Sequence, residues 1–231
     1  MKALLLTLKS FTASFRDPNS MNYQDTLPFP PPTTIVGIIG AAIGKEFFQA
    51  QDYCRELSFG VVALGDSGLA KDQWAIRKIK VGGKNIGKAV VIREIMYLPT
   101  FKILVTGPDE KLLEMKHSFD NPVYPLSLGR DDEFITARES QIVDTVPTSG
   151  VCVHNTVIKG DISGRLHYRK DIAGEIPAFK TYWLCSSFER DPRNPMLRRP
   201  SNRAPFTFVN SQVIYEGEIL STNDLNIPVW R

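Results

Sequence analysis

Cations dominate the side chains of this chain that could do chemistry. Between residues 71 and 93 stand Lys71, Arg77, Lys78, Lys80, Lys84, Lys88 and Arg93, with Asp72 as the one acid. Cations set along a two-stranded projection can follow a phosphate backbone, and Trp74 among them could stack on a base. The same composition also suits a solvated edge hairpin protected by its lysines. A second basic stretch holds Arg190, Arg193, Arg198, Arg199 and Arg203 against Asp191. Arg16 sits in a polar, turn-rich segment, and Arg130 follows glycine in LSLGRDD. A glycine–arginine turn can set backbone N–H groups and a guanidinium around a phosphate; a surface arginine on a glycine turn is the plainer reading.

Other chemistries have less to stand on. Cys54, Cys152 and Cys185 are odd in number and form no CxxC, so neither a disulfide framework nor a thiolate zinc site is indicated. His117, His154 and His167 have no metal-ligand spacing, and no metal or cofactor is expected. A metal-independent ribonuclease can use histidine as general base with a tyrosine or lysine beside it, and His167, Tyr168 and Lys170 make such a set in sequence. HYRK also reads simply as an exposed turn in a polar loop. P-loop, HExxH and GxSxG motifs are absent.

The element that must position these groups is the stretch 27–44, LPFPPPTTIVGIIGAAIG. Its prolines hold an extended lead with fixed φ. Thr33 or Thr34 then offers a hydroxyl cap for a nearly all-apolar helix from Ile35 to about Phe48. Gly37, Gly40 and Gly44 fall near one face, which lets the helix sit close to another backbone and is expected to pack it on the sheet. The helix reads as a buried core helix. Its N-terminus, with Thr33 and Thr34, is also a candidate phosphate contact.

The chain has 231 residues and a formal net charge of +3, so a nucleic-acid reading rests on where charge sits and not on its total. The opening MKALLLTLKSF is interrupted by Thr7 and stopped by Lys9, and reads as a first strand and not a signal peptide. No run approaches the ~18 apolar residues of a membrane span. No membrane association is expected, and the cysteine usage fits a reducing cytoplasm.

In order, the chain predicts a strand over 3–11, the helix, and a strand over 57–64. A basic hairpin follows over about 70–93, with a glycine-rich tip at VGGKNIG. A strand over 94–106, bent near Pro99, leads to a helix over 108–119 and a strand over 133–143. Without the hairpin this is βαββαβ, so the fold class is α+β: a ferredoxin-like (RRM-like) domain over 1–146 with an inserted β-hairpin thumb. Residues 147–231 read as a small β-rich C-terminal region, with strands near 152–159, 181–188 and 206–219 and an arginine–proline loop over 190–203.

Several stretches together resemble a known family. SFTASFRDP, QDTLPFPPPTTIVGIIGAAIG, DQWAIRKIK and VYPLSLGRDDEF are similar to the RAMP-superfamily subunit that caps the 5′ end of the guide RNA in type I CRISPR Cascade complexes, in its I-B-like form. LNIPVWR at the C-terminus resembles it more loosely. The resemblance implies an RRM-like domain with a thumb and a variable C-terminal part. It implies binding of the crRNA 5′ handle, contacts to the Cascade backbone subunit and large subunit, an indirect link to target DNA, and a role in antiviral defence. Most members cut nothing; one branch cleaves precursor crRNA. A non-catalytic RNA-binding subunit and a metal-independent endoribonuclease are therefore the two expectations, with a hairpin that binds only protein as a third.

Overall fold

Apolar residues at consecutive positions leave a strand with two faces to cover. KALLLTLKS does this and forms β1 (Lys2–Ser10). Leu4, Leu6 and Leu8 are buried on one face, Ala3 and Leu5 pack on the other. The computed structural model describes residues 1–20, 23–65, 67–79, 83, 85–168, 179–222 and 224–231. After β1 come α1 (Pro32–Ile43), α2 (Phe47–Tyr53), β2 (Ser58–Leu64), β3 (Gly68–Ile79), β4 (Asn85–Tyr97), β5 (Thr100–Thr106), α3 (Asp109–Asp120) and β6 (Ile135–Asp144). The longer strands beyond are β7 (Thr156–Lys159), β8 (Phe179–Asp191) and β9 (Asn194–Val209). The architecture is α+β and mostly strand.

One sheet of seven strands, in the order β8-β9-β7-β2-β5-β1-β6, organises the molecule. All of its neighbouring pairs are antiparallel. Helices α1 and α3 cover one face: Ile35, Ile38 and Ile39 with Leu112, Met115 and Phe119 join Leu4, Leu6, Phe101 and Ile103 in a single core. That core also takes in Val157, Tyr182, Leu184, Phe206 and Trp230 from the C-terminal region. The opposite face is closed by Leu220 and Ile227, from the short strands Ile219–Ser221 and Asn226–Pro228. A Cβ on Gly60 of β2 would come within 2.4 Å of Ile227 Cγ2, so glycine there lets the C-terminal strand lie down on the sheet.

The thumb is a separate ladder. β3 and β4 pair from Gly68↔Tyr97 to Ile79↔Asn85, and β4 is joined at its base by Thr12–Ala13 and Tyr23–Gln24. The expected bent strand over 94–106 is two strands. The break lies at Leu98, whose φ of 54° is left-handed, followed by Pro99, which cannot donate to a ladder.

The start of α1 differs from the expected hydroxyl cap. Pro31 is the N-cap, with φ −67° and ψ 161°, and no side chain caps the helix. Proline at the first helical position presets the turn, so Thr33 and Thr34 fall inside the helix. The helix ends at Ile43 and does not reach Phe48. Gly44 (φ 72°) takes the left-handed conformation and closes it, and α2 begins anew with a Glu46–Gln49 capping box. The glycine face is also corrected. A Cβ on Gly40 would stand 2.8 Å from Ala50 Cβ, so the close approach is between α1 and α2 and not between helix and sheet, while a Cβ on Gly37 would meet nothing within 4 Å.

The arginine–proline segment over 190–203 is not a loop. It is the distal half of the β8/β9 hairpin, paired through Arg190↔Arg198 with its turn at Pro192 and Arg193. Pro200 lies in β9 where, among the described residues, it has no ladder partner on its other side, because β7 pairs only with Phe206–Val209; the Pro205 carbonyl accepts the Gly160 N–H at 2.9 Å just beyond that pairing. HYRK is likewise not a loop throughout: His167 and Tyr168 belong to the strand Leu166–Tyr168, which pairs with Val213–Tyr215. Among the described residues no helix is long and apolar enough to cross a membrane.

Replacing Gly40 by leucine should force α2 off α1. The expected loss is about 1–3 kcal/mol or more, by overpacking, measured as a lower midpoint in denaturant unfolding.

Candidate nucleic-acid interface

At the foot of the thumb a buried carboxylate joins two stretches distant in sequence. Glu133, only 3 % exposed, accepts the Ser14 N–H at 2.8 Å, the Ser14 hydroxyl at 2.6 Å and the Arg130 N–H at 2.9 Å. Its own backbone pairs with Leu128 and Arg130. LSLGRDDE is thereby folded into a compact loop and tied to SFTASFRDP. Gly129 permits the tie: its φ is +110°, and a Cβ there would lie 2.1 Å from Ser14 O.

Arg130 leaves this loop toward the thumb. Its Nε donates to Ser14 Oγ at 3.1 Å and its terminal nitrogen to Gln24 Oε1 at 2.8 Å. Its guanidinium lies 4.6 Å from the centre of the Trp74 ring, and the Arg93 guanidinium lies 5.2 Å from the same ring. Arg93 is also paired to Asp72 at 2.7 Å. Trp74, expected to stack on a base, is thus half-exposed and already engaged by two cations; with Arg130 it joins the thumb to the central loop. Tyr23 adds a further tie, donating to Glu94 Oε1 at 2.8 Å; burial and this hydrogen bond push its phenol up to about 12.

Arg77 and Lys78 are exposed on β3, and Arg77 stands directly across from Lys88 on β4. Like charges opposite one another weaken a ladder, so this face of the thumb is arranged against its own stability. Lys80, Lys84 and Lys170 lie outside the described residues, as does the side chain of Tyr168. Arg16 is exposed beside the bridge from Arg16 to Thr26. His167 is 3.2 Å from Glu216, with half of its side chain exposed. Among the described residues no cluster of histidine, cysteine and acidic groups could hold a metal, and the three cysteines are free thiols. Burial pushes the Cys54 thiol up to about 12, which makes it a poor nucleophile.

Thr33 and Thr34 line an open groove of about 710 Å³ with Gly37, Ser127, Gly129 and Arg198. The α1 terminus offers fewer free donors than a generic helix start. Pro31 and Pro32 have no N–H, and the Thr34 and Ile35 N–H groups both donate to Pro31 O. Sequence reasoning missed the position of Glu133, although the EF after GRDD was in view: nothing in a sequence says which acid of DDE turns inward. It also missed the contribution of Ser14 and Gln24.

Glu133→Gln places an amide nitrogen among donors. It should cost about 1–3 kcal/mol from the unmet hydrogen bonds and free Arg130 from its anchorage. The check is a thermal melt together with Trp74-region fluorescence, both of which should shift.

The family described as "CRISPR-associated protein (Cas_Cas5)" matches over residues 3–154. Among solved structures, a chain titled "CRISPR RNA-guided surveillance complex" superposes with TM-score 0.56 at 19% identity, over 94% of this chain and 91% of that one. A CRISPR protein from Archaeoglobus fulgidus superposes with TM-score 0.52 at 12% identity, over 100% of both chains. At these identities the likeness is one of fold. No curated protein matches the sequence. The family match spans well over half of the chain and contains the Ser14–Gln24–Trp74–Arg130–Glu133 junction: the chain belongs to the Cas5 family of CRISPR-associated proteins.

Proposed function

We propose that this chain is a non-catalytic, RNA-binding subunit of a type I CRISPR Cascade complex, gripping the crRNA 5′ handle and capping the backbone filament. The observation that carries the reading is the thumb itself. It projects as its own ladder with Arg77 opposite Lys88, and its foot is clamped to the Gly129–Glu133 loop through Trp74 and Arg130. A cationic projection held at a fixed angle suits a bent single strand, whose phosphates relieve the cross-strand repulsion. The handle lies between thumb and loop, with Arg16, Arg77, Lys78, Lys80, Lys84 and Arg130 as phosphate contacts and Thr33 and Thr34 beside the groove. Arg130 has two roles, fixing Trp74 and presenting its outer edge.

The scaffold is read as ferredoxin-like over 1–146, with 147–231 as the C-terminal region. The spatial order β2-β5-β1-β6, antiparallel throughout and bridged by α1 and α3, supports that topology. The backbone and large subunits of Cascade are the proposed protein partners, target DNA is reached through the complex, and the setting is cytoplasmic antiviral defence.

Arg77, Lys78 and Lys80 changed together to alanine should weaken binding of a repeat-derived RNA. Each lost phosphate contact should lower the log–log salt slope by about 0.7. Fluorescence anisotropy across a salt series reads both; an unchanged affinity and slope would remove the thumb from the interface.

Excess protein incubated with labelled precursor RNA in EDTA should leave it intact over hours. A ribonuclease of this kind needs a dedicated base near the 2′-hydroxyl. A single cut at the 5′ edge of the handle, lost in His167→Ala, would instead make the chain a metal-independent endoribonuclease.

A further inference from the structure

The β8/β9 hairpin carries a second like-charge pair. Arg190 and Arg198 face each other directly across the ladder. Cross-strand neighbours have Cβ atoms about 5 Å apart, and both arginines are exposed. Among the described residues neither is in an ion pair, whereas Arg199, on the other face of β9, is bound to Asp191 at 2.7 Å. Both are supported by aromatic rings. The Arg190 guanidinium is 4.2 Å from the centre of Phe48; that of Arg198 is 4.7 Å from Phe47 and 5.5 Å from Phe188. The rings hold one another edge to face, Phe47 to Phe48 at 5.9 Å and Phe47 to Phe188 at 5.4 Å. An arginine held over an aromatic face keeps its N–H edge for an acceptor. Two unneutralised guanidiniums are thus preassembled on a rigid base.

Their surroundings suit a strand of nucleic acid better than an acidic protein. Arg198 forms one wall of the groove whose others are α1 and the Ser127–Asp131 loop. Gly37 leaves the α1 wall bare, with nothing within 4 Å of where a Cβ would stand, so a sugar–phosphate strand can approach the helix closely; Asp131 is the acid on the rim. Gly129 adjoins Arg130, so the groove lined by Arg198 lies beside the Trp74–Arg130 junction.

We infer that the β8/β9 hairpin is a second backbone-binding site for single-stranded nucleic acid, with Arg190 and Arg198 each contacting a phosphate. It rests on the reading above only in taking nucleic acid as the ligand. The site acts on the phosphodiester chain and is indifferent to base identity.

The test is anisotropy with the full chain on fluorescein-labelled oligo-uridine RNA and oligo-thymidine DNA of equal length, across a salt series. Arg190→Gln with Arg198→Gln should weaken binding about tenfold and lower the salt slope by about 1.4, two contacts at 0.7 each. Loss on RNA alone identifies RNA as the occupant; loss on both identifies the shared backbone; loss on DNA alone identifies DNA. Arg190→Lys with Arg198→Lys should keep the slope. Should the glutamine pair fail to fold, Arg190→Gln alone carries the test, with a slope change of about 0.7. Unchanged affinity and slope on both oligomers overturns the inference, as does an equal loss in the lysine pair, which would mean that the arginines only pack on the rings. The thumb triple-alanine variant separates the two readings: if it alone weakens RNA binding, the hairpin site fails and the handle reading stands, and the reverse result fails the thumb.

Discussion

The carboxylate of Glu133 is the interaction on which the junction of thumb and loop depends. A buried charge is tolerated only when its acceptor sites are filled, and here two N–H groups and one hydroxyl fill them. Those donors come from a loop after β1 and a loop after α3, and Ser14 and Glu133 are separated by 119 residues. One carboxylate therefore ties the loop after β1 to the loop before β6, next to the point where the two strands pair through Ser10↔Ile135. From this fixed point Arg130 reaches Ser14, Gln24 and Trp74, and so passes the geometry to the thumb. Among the described residues the thumb does not pair with the seven-stranded sheet; its orientation rests on β4's short partners at the base and on this junction. Without Glu133 the cations would still be present, but not at a fixed angle to the groove.

Two hairpins share one departure from ladder chemistry. Arg77 faces Lys88 in the first and Arg190 faces Arg198 in the second. A ladder selected for stability would set opposite charges there, at a gain of roughly 0.2–1 kcal/mol per pair. Edge protection by lysine accounts for single cations but not for directly opposed ones. Under the proposed function, a polyanion lying along such a strand pair releases this repulsion, so the feature that weakens the free hairpin favours its binding.

Much of this was legible in the sequence because it follows from pattern. The apolar run of β1, the proline lead, the acid-first and base-last helix at 109–120, and the glycine-tipped basic hairpin each announce themselves locally. What was not legible depends on contacts made elsewhere. Gly44 reads as one more helical glycine until its left-handed φ and the second capping box at Glu46 divide the helix. The proline-rich 190–203 segment reads as loop because proline opposes pairing; it pairs because β9 has a free side there to spare. Thr33 and Thr34 look like caps, yet proline at the first helical position performs that task without a side-chain bond. Trp74 looks free in sequence, and its cationic neighbours come from β4 and from a loop more than fifty residues away.

The C-terminal region is bound up with the same constraint. β1 is apolar on both faces, so the N-terminal strands and helices alone leave Ala3, Leu5, Val62 and Leu104 without cover. Leu220, Leu225 and Ile227 supply it, and Gly60 gives them room. β7 then continues the sheet from β2 through Thr156↔Val62, and β9 and β8 follow outward. By closing the second face, the C-terminal chain brings Phe188 against Phe47 and sets Arg198 over the groove beside α1. The same C-terminal chain thus meets two demands: its last strands cover the otherwise bare sheet face, and β8 and β9, at the edge of the extended sheet, set Arg198 in the groove beside α1.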